Sequence, residues 1–237
     1  MDTLIKKCIC GNKTHFNKMS INNIDVLECN ICKTKHQYLS NFSSKNLLDF
    51  YTNEYHDLFQ KTKGIISYSE RYEHDCKIAN LRLKEYAEYI SPPLKGLDIG
   101  SSNSAFVHEA NKLEFNVKGL EPGFEIGDSK LTIRKTIEAY KCSSNTYDFI
   151  TMHDSIEHLV DVSNSIKKVY RILKKSGYVF IDLPDFYSPA GKHHWKKIEH
   201  LWFFSKDDLK VFLEKIGFEI IKITNPIPGK LVFYCKK

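Results

Sequence analysis

The spacing of apolar residues changes near residue 94 of the chain. Between residues 41 and 91 apolar residues recur at helical spacing, most clearly from Ile78 to Ile90, and Ser91-Pro92-Pro93 ends this predicted helix. Beyond it, short apolar runs alternate with amphipathic stretches of helical length, beginning with a strand at Leu94–Ile99 and a helix at Ala105–Leu113. This alternation is typical of crossover units and predicts an α/β fold with a mostly parallel sheet.

The same alternation continues towards the C-terminus. It predicts strands at Val117–Leu120, Leu131–Ile133, Tyr147–Met152 and Tyr178–Leu183, and helices at Ser163–Lys174 and Asp207–Ile216. Gly177 and Gly217 are expected to end the two helices, and Ser205 to cap the second. The last two strands, Glu219–Thr224 and Lys230–Tyr234, are separated by a turn too short for a crossover, so they are predicted to be antiparallel.

The composition of the chain argues against several classes of protein. The 237 residues are 42% hydrophobic, enough to bury a core, but no apolar run is long enough for a membrane span. The polar start of the chain does not resemble a signal peptide, and seven cysteines are too few and unpaired for a disulfide scaffold, so we expect a cytoplasmic location. The net charge of +6 is spread thinly and does not favour a nucleic-acid partner.

A turn rich in small residues follows the first strand of the α/β region. It reads Asp98-Ile99-Gly100-Ser101-Ser102-Asn103-Ser104, and a helix begins directly after it. Such a turn lets a ligand approach the backbone closely, but it lacks the glycine pattern that a pyrophosphate requires. Asp98 precedes the turn and Glu121 follows the next strand, where a carboxylate can accept hydrogen bonds from ribose hydroxyls. Adenosine with a positively charged amino-acid arm fits both acids.

These residues, with Glu157-His158-Leu159 and Leu173–Gly177, resemble the motifs of class I S-adenosylmethionine (SAM)-dependent methyltransferases. The resemblance covers residues 94–237. It implies a Rossmann-like, seven-stranded, mostly parallel sheet with an antiparallel C-terminal strand. The sequence departs from the family at Asn103 or Ser104, where a second glycine is usual.

The resemblance also assigns cofactor-binding positions. The residues near the methionine and ribose would be Asp98, Gly100, Ser101 and Ser102, with Glu121 and Pro122 at the ribose. Thr136, Ile137 and Glu138 would lie beside the adenine, and the backbone of His153 and Asp154 would face the sulfonium. Glu138 could equally be a surface acid.

Four cysteines lie close together near the N-terminus. Cys8-x-Cys10 and Cys29-x2-Cys32 offer four soft ligands for a tetrahedral, structural zinc ion, and Gly11 permits a tight turn beside them. His15 and His36 are substitute ligands, and four free thiols in a disordered tail are the alternative. We therefore expect a zinc-ribbon-like module over residues 1–40, a helical cap over 41–93 and a methyltransferase domain over 94–237.

This layout, with Leu48-Asp49-Phe50-Tyr51-x3-Tyr55 after the cysteines, resembles bacterial methyltransferases that modify sugars. It implies O- or C-methylation of a sugar, glycan or nucleotide-sugar acceptor. The alternatives are a small-molecule O-methyltransferase resembling quinone-ring enzymes, and a zinc-bearing binding module without catalytic activity.

Histidines near strand ends are the candidates for chemistry, since methyl transfer to a hydroxyl benefits from a general base. His158, beside Glu157, and His200 are the predicted catalytic residues, and packing against aromatic neighbours is their alternative role. In some relatives the Glu-His pair also helps to bind a divalent cation. Residues 185–202 are predicted to form a substrate wall that includes Tyr187, Trp195 and Trp202.

Overall fold

A computed structural model describes residues 3–51, 68–123 and 127–237 of the chain. Residues 52–55, which end the motif that includes Tyr55, lie outside these residues. Five helices are described, namely α1 (Ser44–Asp49), α2 (Tyr68–Tyr86), α3 (Ala105–Lys112), α4 (Val162–Ile172) and α5 (Lys206–Ile216). None of them, within the described ranges, has the length and apolar character that crossing a membrane requires.

Eleven strands are present in the described part of the chain. They are β1 (Phe16–Ile21), β2 (Ile24–Cys29), β3 (Lys35–Gln37), β4 (Lys95–Ile99), β5 (Asn116–Leu120), β6 (Thr132–Ile133), β7 (Tyr147–His153), β8 (Leu173–Pro184), β9 (Trp202–Phe203), β10 (Glu219–Thr224) and β11 (Lys230–Lys236). They form a seven-stranded sheet in the order β10-β11-β8-β7-β4-β5-β6 and a four-stranded sheet in the order β1-β2-β3-β9. The seven-stranded sheet with its antiparallel β10–β11 pair confirms the predicted α/β fold class.

The chain divides into two compact units. The first unit contains Met1–Leu48, Asp154–Tyr170 and Ile181–Lys236, and the second contains Asp49–His153, Arg171–Phe180 and Lys237. The predicted division into three consecutive domains remains a prediction.

Parallel pairing organises the second unit. Strand β4 pairs with β5 on one side and with β7 on the other, and β5 pairs with β6. Leu97, Phe149 and Ile150 are fully buried, as expected for strands covered on both faces. Gly96 has a steric reason to lack a side chain, because a Cβ there would lie 2.4 Å from the Phe149 ring.

A long-range pairing organises the first unit. The antiparallel strands β1, β2 and β3 follow one another in the sequence, but the fourth strand of their sheet is β9. His36 is paired with Trp202 and Lys35 with Phe203. The apolar core beneath this sheet includes Val26 and Phe203, both fully buried. The sequence between residues 1 and 40 gave no indication of this fourth strand.

The end of α4 differs from the prediction. The helix ends at Ile172, and β8 begins at Leu173, so Gly177 lies inside a strand and does not end a helix. A Cβ at Gly177 would lie 2.7 Å from the carbonyl oxygen of Asp148. The glycine therefore permits close approach of neighbouring backbone. The other helix stop is confirmed, because Gly217 adopts φ 118° at the end of α5 and Ser205 caps its start.

Candidate functional site

The turn after β4 forms the first part of the site in the second unit. Gly100, Ser102 and Ser104 all have positive φ angles, of 78°, 46° and 65°. Glycine adopts this conformation most readily. Ser104, one of the two positions where the methyltransferase motif usually has a second glycine, adopts it with a side chain present. The Ser104 hydroxyl forms a 2.9 Å hydrogen bond with the Thr132 hydroxyl and accepts a 3.0 Å hydrogen bond from the backbone N–H of Asp128. These bonds hold the turn without the glycine.

The side chain of Glu121, which follows the end of β5, is hydrogen-bonded to the backbone of this turn. One carboxylate oxygen accepts from the Ser102 N–H at 3.0 Å, and the other accepts from the Gly123 N–H at 2.9 Å. Burial raises the pKa of the Glu121 carboxyl, against the lowering effect of these bonds and of Arg134. Each oxygen keeps a second lone pair, so the carboxylate can also accept from two ribose hydroxyls.

Asp98 lies deeper, at the neighbouring strand end. It is 2% exposed and accepts a hydrogen bond from the Thr151 hydroxyl at 2.7 Å. The Nδ1 atom of His153 lies 3.3 Å from the same carboxylate oxygen, and the Nε2 atom of this ring is 3.1 Å from the Tyr86 hydroxyl. The side chain of His153 is thus held by Asp98 and Tyr86. Thr151 and Tyr86 were not singled out from the sequence.

The remaining predicted cofactor residues of this unit lie after β4, β5 and β6. Pro122 comes directly after Glu121, and Ser101 is buried in the turn with no hydrogen-bond partner for its hydroxyl among the described residues. In the segment after β6, Ile137 is 2% exposed, whereas Thr136 and Glu138 are at the surface. The structure therefore brings the turn, Asp98 and Glu121 together at adjacent strand ends.

Asp154 belongs to the first unit. Its backbone N–H donates to Asp182, at 3.0 Å to both the carbonyl and a carboxylate oxygen. Its side chain forms an ion pair with the Lys230 ammonium, which also lies 3.8 Å from a carboxylate oxygen of Asp182. Burial works against the charge of Lys230, but the two carboxylates outweigh it and raise its pKa. Sequence reasoning missed Asp182 and Lys230, which come from β8 and β11.

The three predicted catalytic residues lie together in the first unit. Glu157 and His158 belong to a short 3-10 turn after β7, and His200 precedes β9. Ligand atoms of all three lie within 4.8 Å of one another. The two imidazole rings are 4.9 Å apart in an edge-to-face arrangement. We name these residues the Glu-His-His cluster.

Backbone carbonyls orient both imidazoles of the cluster. The Nδ1 atom of His158 is 2.6 Å from the carbonyl oxygen of Glu199, and that of His200 is 2.6 Å from the carbonyl of His194. A carbonyl can only accept, so each Nδ1 carries the proton and each neutral ring has its lone pair on Nε2. Burial lowers the pKa of both rings, that of His200 most strongly, which favours this neutral form.

Glu157 is the acid of the cluster and is fully buried. It is 0% exposed, and neither carboxylate oxygen has a hydrogen-bond partner among the described residues. The nearest cluster partner of the carboxylate is the Nε2 atom of His158, at 3.9 Å. Burial, with the nearby charge of Asp154, raises the pKa of Glu157 well above its ordinary value.

The four N-terminal cysteines form a second cluster in the first unit. Cys8 and Cys32 have their sulfur atoms 3.3 Å apart, and Cys10 and Cys29 have theirs 3.6 Å apart. These distances exceed a disulfide bond and are close to the spacing of about 3.8 Å between the sulfurs of a tetrahedral zinc site. Gly11, at φ 90°, makes the predicted turn. The donor set fits zinc without His15 or His36, which are outside the cluster.

The aromatic residues of the predicted wall have different environments. Trp202 is 1% exposed and its indole N–H donates to the Leu159 carbonyl, so it is a core residue and the prediction that it contacts substrate is wrong. Trp195 stacks on Phe203 at 4.1 Å. Tyr187 is 44% exposed and lies edge-on to Trp195.

Solved structures of other proteins share this fold. A crystal structure from Thermotoga maritima, described as a SAM-dependent methyltransferase and possible histamine N-methyltransferase, has a TM-score of 0.54 at 22% identity, covering 71% of this chain and 94% of the other. A SAM-dependent methyltransferase from Archaeoglobus fulgidus has a TM-score of 0.57 at 16% identity, over 72% and 100%. One from Aquifex aeolicus has 0.54 at 16%, over 75% and 97%. No curated protein is significantly similar in sequence.

These solved structures, at identities below 25%, share the fold of the chain. A family model described as a methyltransferase domain matches residues 68–223, which is more than half of the sequence. The chain belongs to this methyltransferase-domain family.

Proposed function

We propose that the chain transfers the methyl group of SAM to an oxygen or carbon atom of a sugar, glycan or nucleotide-sugar acceptor. A sugar hydroxyl, or a carbon beside a carbonyl, has to lose a proton when it accepts a methyl group. The observation that carries the proposal is the Glu-His-His cluster, in which both Nδ1 atoms lie 2.6 Å from backbone carbonyls, so that the basic nitrogen of each neutral ring is Nε2. We assign to this cluster the removal of the acceptor proton, with His158 the most exposed of its members.

The cofactor assignment within this proposal depends on the second unit. Glu121 would accept from the ribose hydroxyls, and the carboxylate of Asp98 would favour the positively charged methionine end. The Gly100 turn leaves room for the ligand to approach the backbone. Thr136, Ile137 and Glu138 are assigned to the adenine because they follow the next strand.

A sugar acceptor is favoured by the surface formed by Tyr187 and Trp195. Tyr187 presents a partly exposed ring, while its hydroxyl is occupied as a donor to the Phe203 carbonyl at 3.2 Å. Trp195 is held by a 2.8 Å hydrogen bond from its indole N–H to the Phe186 carbonyl. Fixed aromatic rings of this kind can pack against the apolar face of a sugar.

We further propose that Cys8, Cys10, Cys29 and Cys32 hold a structural zinc ion in the first unit. The short distances between their sulfur atoms would otherwise place four thiols against one another without a common ligand. Zinc would complete the tight turns at both cysteine pairs and stabilise the four-stranded sheet. It would not take part in methyl transfer.

The test is release of S-adenosylhomocysteine (SAH) from SAM in the presence of separate acceptors. Nucleotide sugars are expected to be methylated and simple catechols are not. Efficient turnover of catechols alone would favour the quinone-ring alternative, because a phenol loses its proton more easily than a sugar hydroxyl. SAH binding without turnover of any acceptor would instead indicate a binding module.

A further inference from the structure

The side chain of Gln37, at the end of β3, is hydrogen-bonded to a distant segment of the first unit, residues 196–201. Gln37 is 1% exposed, and its Nε2 atom donates to the Lys196 carbonyl at 2.5 Å and to the His200 carbonyl at 2.6 Å. Its Oε1 atom accepts from the Ile198 N–H at 3.0 Å. We infer that Gln37 is a positioning residue for the Glu-His-His cluster and acts through the backbone of residues 196–201.

These three bonds determine the orientation of the amide. A carbonyl can only accept and a backbone N–H can only donate, so the NH2 group of Gln37 faces the two carbonyls and its oxygen faces Ile198. The Gln37 backbone N–H adds a fourth bond, to the Leu201 carbonyl at 2.8 Å, next to the β3–β9 pair. A methionine or an ionised glutamate of similar length cannot supply two donors, so the position requires an amide.

The segment that Gln37 holds orients both histidines of the cluster. It contains His200, and the carbonyl oxygen of its Glu199 lies 2.6 Å from the Nδ1 atom of His158. The bonds of the Gln37 side chain reach residues on both sides of Glu199, so they fix the direction of this carbonyl. The carbonyl in turn decides which nitrogen of His158 carries the proton, and therefore whether Nε2 is the basic nitrogen.

The backbone of this segment is strained at Ile198. Its φ angle is 69°, which is unfavourable for a β-branched residue. Strain of this kind persists only where the surrounding structure holds the backbone in place, and it is concentrated at functional sites. The bond from the Ile198 N–H to the Gln37 amide supplies such a restraint at the strained residue itself.

The effect of Gln37 on methyl transfer rests on the proposed function, whereas its effect on the His158 ring does not. Without the amide, residues 196–201 are free to shift, and the neutral His158 ring can place its proton on either nitrogen. Only the tautomer with the proton on Nδ1 leaves Nε2 as a base, and a small displacement of a catalytic group lowers turnover strongly. The ring and the turnover can therefore be measured separately.

NMR of the histidine ring nitrogens at neutral pH tests the inference on the full chain, because it distinguishes protonated from unprotonated nitrogens. The chain has ten histidines, so the His158 signals are assigned by their absence in His158→Gln. We expect the proton on Nδ1 in wild type and a mixture of both tautomers in Gln37→Met. In the same variant kcat should fall by up to about 10²-fold, with the Kd for SAH unchanged.

The matched control is Asn17→Met, which removes an exposed amide from β1 of the same sheet and should keep the wild-type tautomer and kcat. A cooperative thermal transition shows that a variant is folded. If Gln37→Met does not fold, Gln37→Glu is measured instead, because it keeps the shape of the side chain and the acceptor for Ile198.

A folded Gln37 variant in which His158 keeps the wild-type tautomer would overturn the inference. A changed tautomer in that variant, with no acceptor methylated by wild type, would support the positioning role and contradict the proposed function.

Discussion

The two compact units differ in how their functional residues are assembled. In the second unit, Asp98, the Gly100 turn and Glu121 come from two consecutive parallel strands and the loop between them. In the first unit, the Glu-His-His cluster joins a turn after β7 to a residue before β9, and the N-terminal sheet takes β9 as its fourth strand. A cofactor motif can therefore be local, whereas the acceptor chemistry proposed here depends on distant segments.

Loss of the zinc ion from the four cysteines should give the largest difference in effect between the two units. Cys29→Ser is expected to lose the ion held by the four cysteines and to cost the first unit several kcal/mol of folding free energy, because the binding energy of a structural zinc contributes to folding. SAH binding, assigned to the second unit, should persist while methyl transfer is lost. Elemental analysis, thermal unfolding and calorimetric titration with SAH measure the three effects.

The control for this experiment is Cys142→Ser, since Cys142 is a partly buried cysteine of the second unit outside the cluster. It should keep zinc, stability and activity. If Cys29→Ser lost SAH binding together with its zinc, the independence of the two sites would be contradicted.

Changing His158 should give the next largest effect, restricted to turnover. His158→Gln keeps a polar side chain but loses the Nε2 lone pair, so kcat for the acceptor should fall roughly 10²- to 10⁴-fold. The Kd for SAH should stay the same because no cofactor contact is removed. His193→Gln is the matched control. A His158→Gln protein with wild-type kcat would exclude the cluster from the chemistry.

Replacement of Glu121, in contrast to that of His158, should weaken the binding of SAH. Glu121→Ala removes an acceptor for the ribose hydroxyls and leaves the N–H groups of Ser102 and Gly123 without their partner. Loss of such bonds costs about 1.5–3 kcal/mol, or roughly 10- to 150-fold in SAH affinity. Calorimetric titration measures this change, with Glu88→Ala as the control at an exposed acid of the same unit that has no assigned role. Unchanged affinity in Glu121→Ala would remove the ribose assignment.

These contrasts also explain what the sequence could predict. The strand–turn–helix around Gly100 was predicted because its apolar run, small-residue turn and amphipathic helix are adjacent in the chain. The β3–β9 pair was missed because β9 has two residues, and its pairing with His36 and Lys35 depends on tertiary contacts. Gly177 was misassigned for a similar reason, since its need for space comes from Asp148 on another strand.

The candidate site follows the same rule. Glu157 and His158 were found through a short motif, and His200 through its position near a strand end. Asp182 and Lys230 carry no motif, and only the sheet brings them beside Asp154. Trp202 was misplaced because the segment 185–202 was predicted as a substrate wall, and an aromatic residue there gives no local signal of whether it faces the core.

The smallest predicted effect is the pH dependence of cofactor affinity. Burial raises the pKa of Glu121, Asp98 adds to the effect, and Arg134 with the N–H groups of Ser102 and Gly123 opposes it. Ribose hydroxyls donate to the ionised carboxylate, so binding favours loss of the proton. SAH affinity should therefore fall as the pH drops through the raised pKa, by at most about 10-fold per pH unit. Glu121→Gln cannot ionise and should bind more weakly at neutral pH with a flatter profile, and titration at several pH values compares the two. Parallel profiles for wild type and Glu121→Gln would place the titrating group elsewhere in the site.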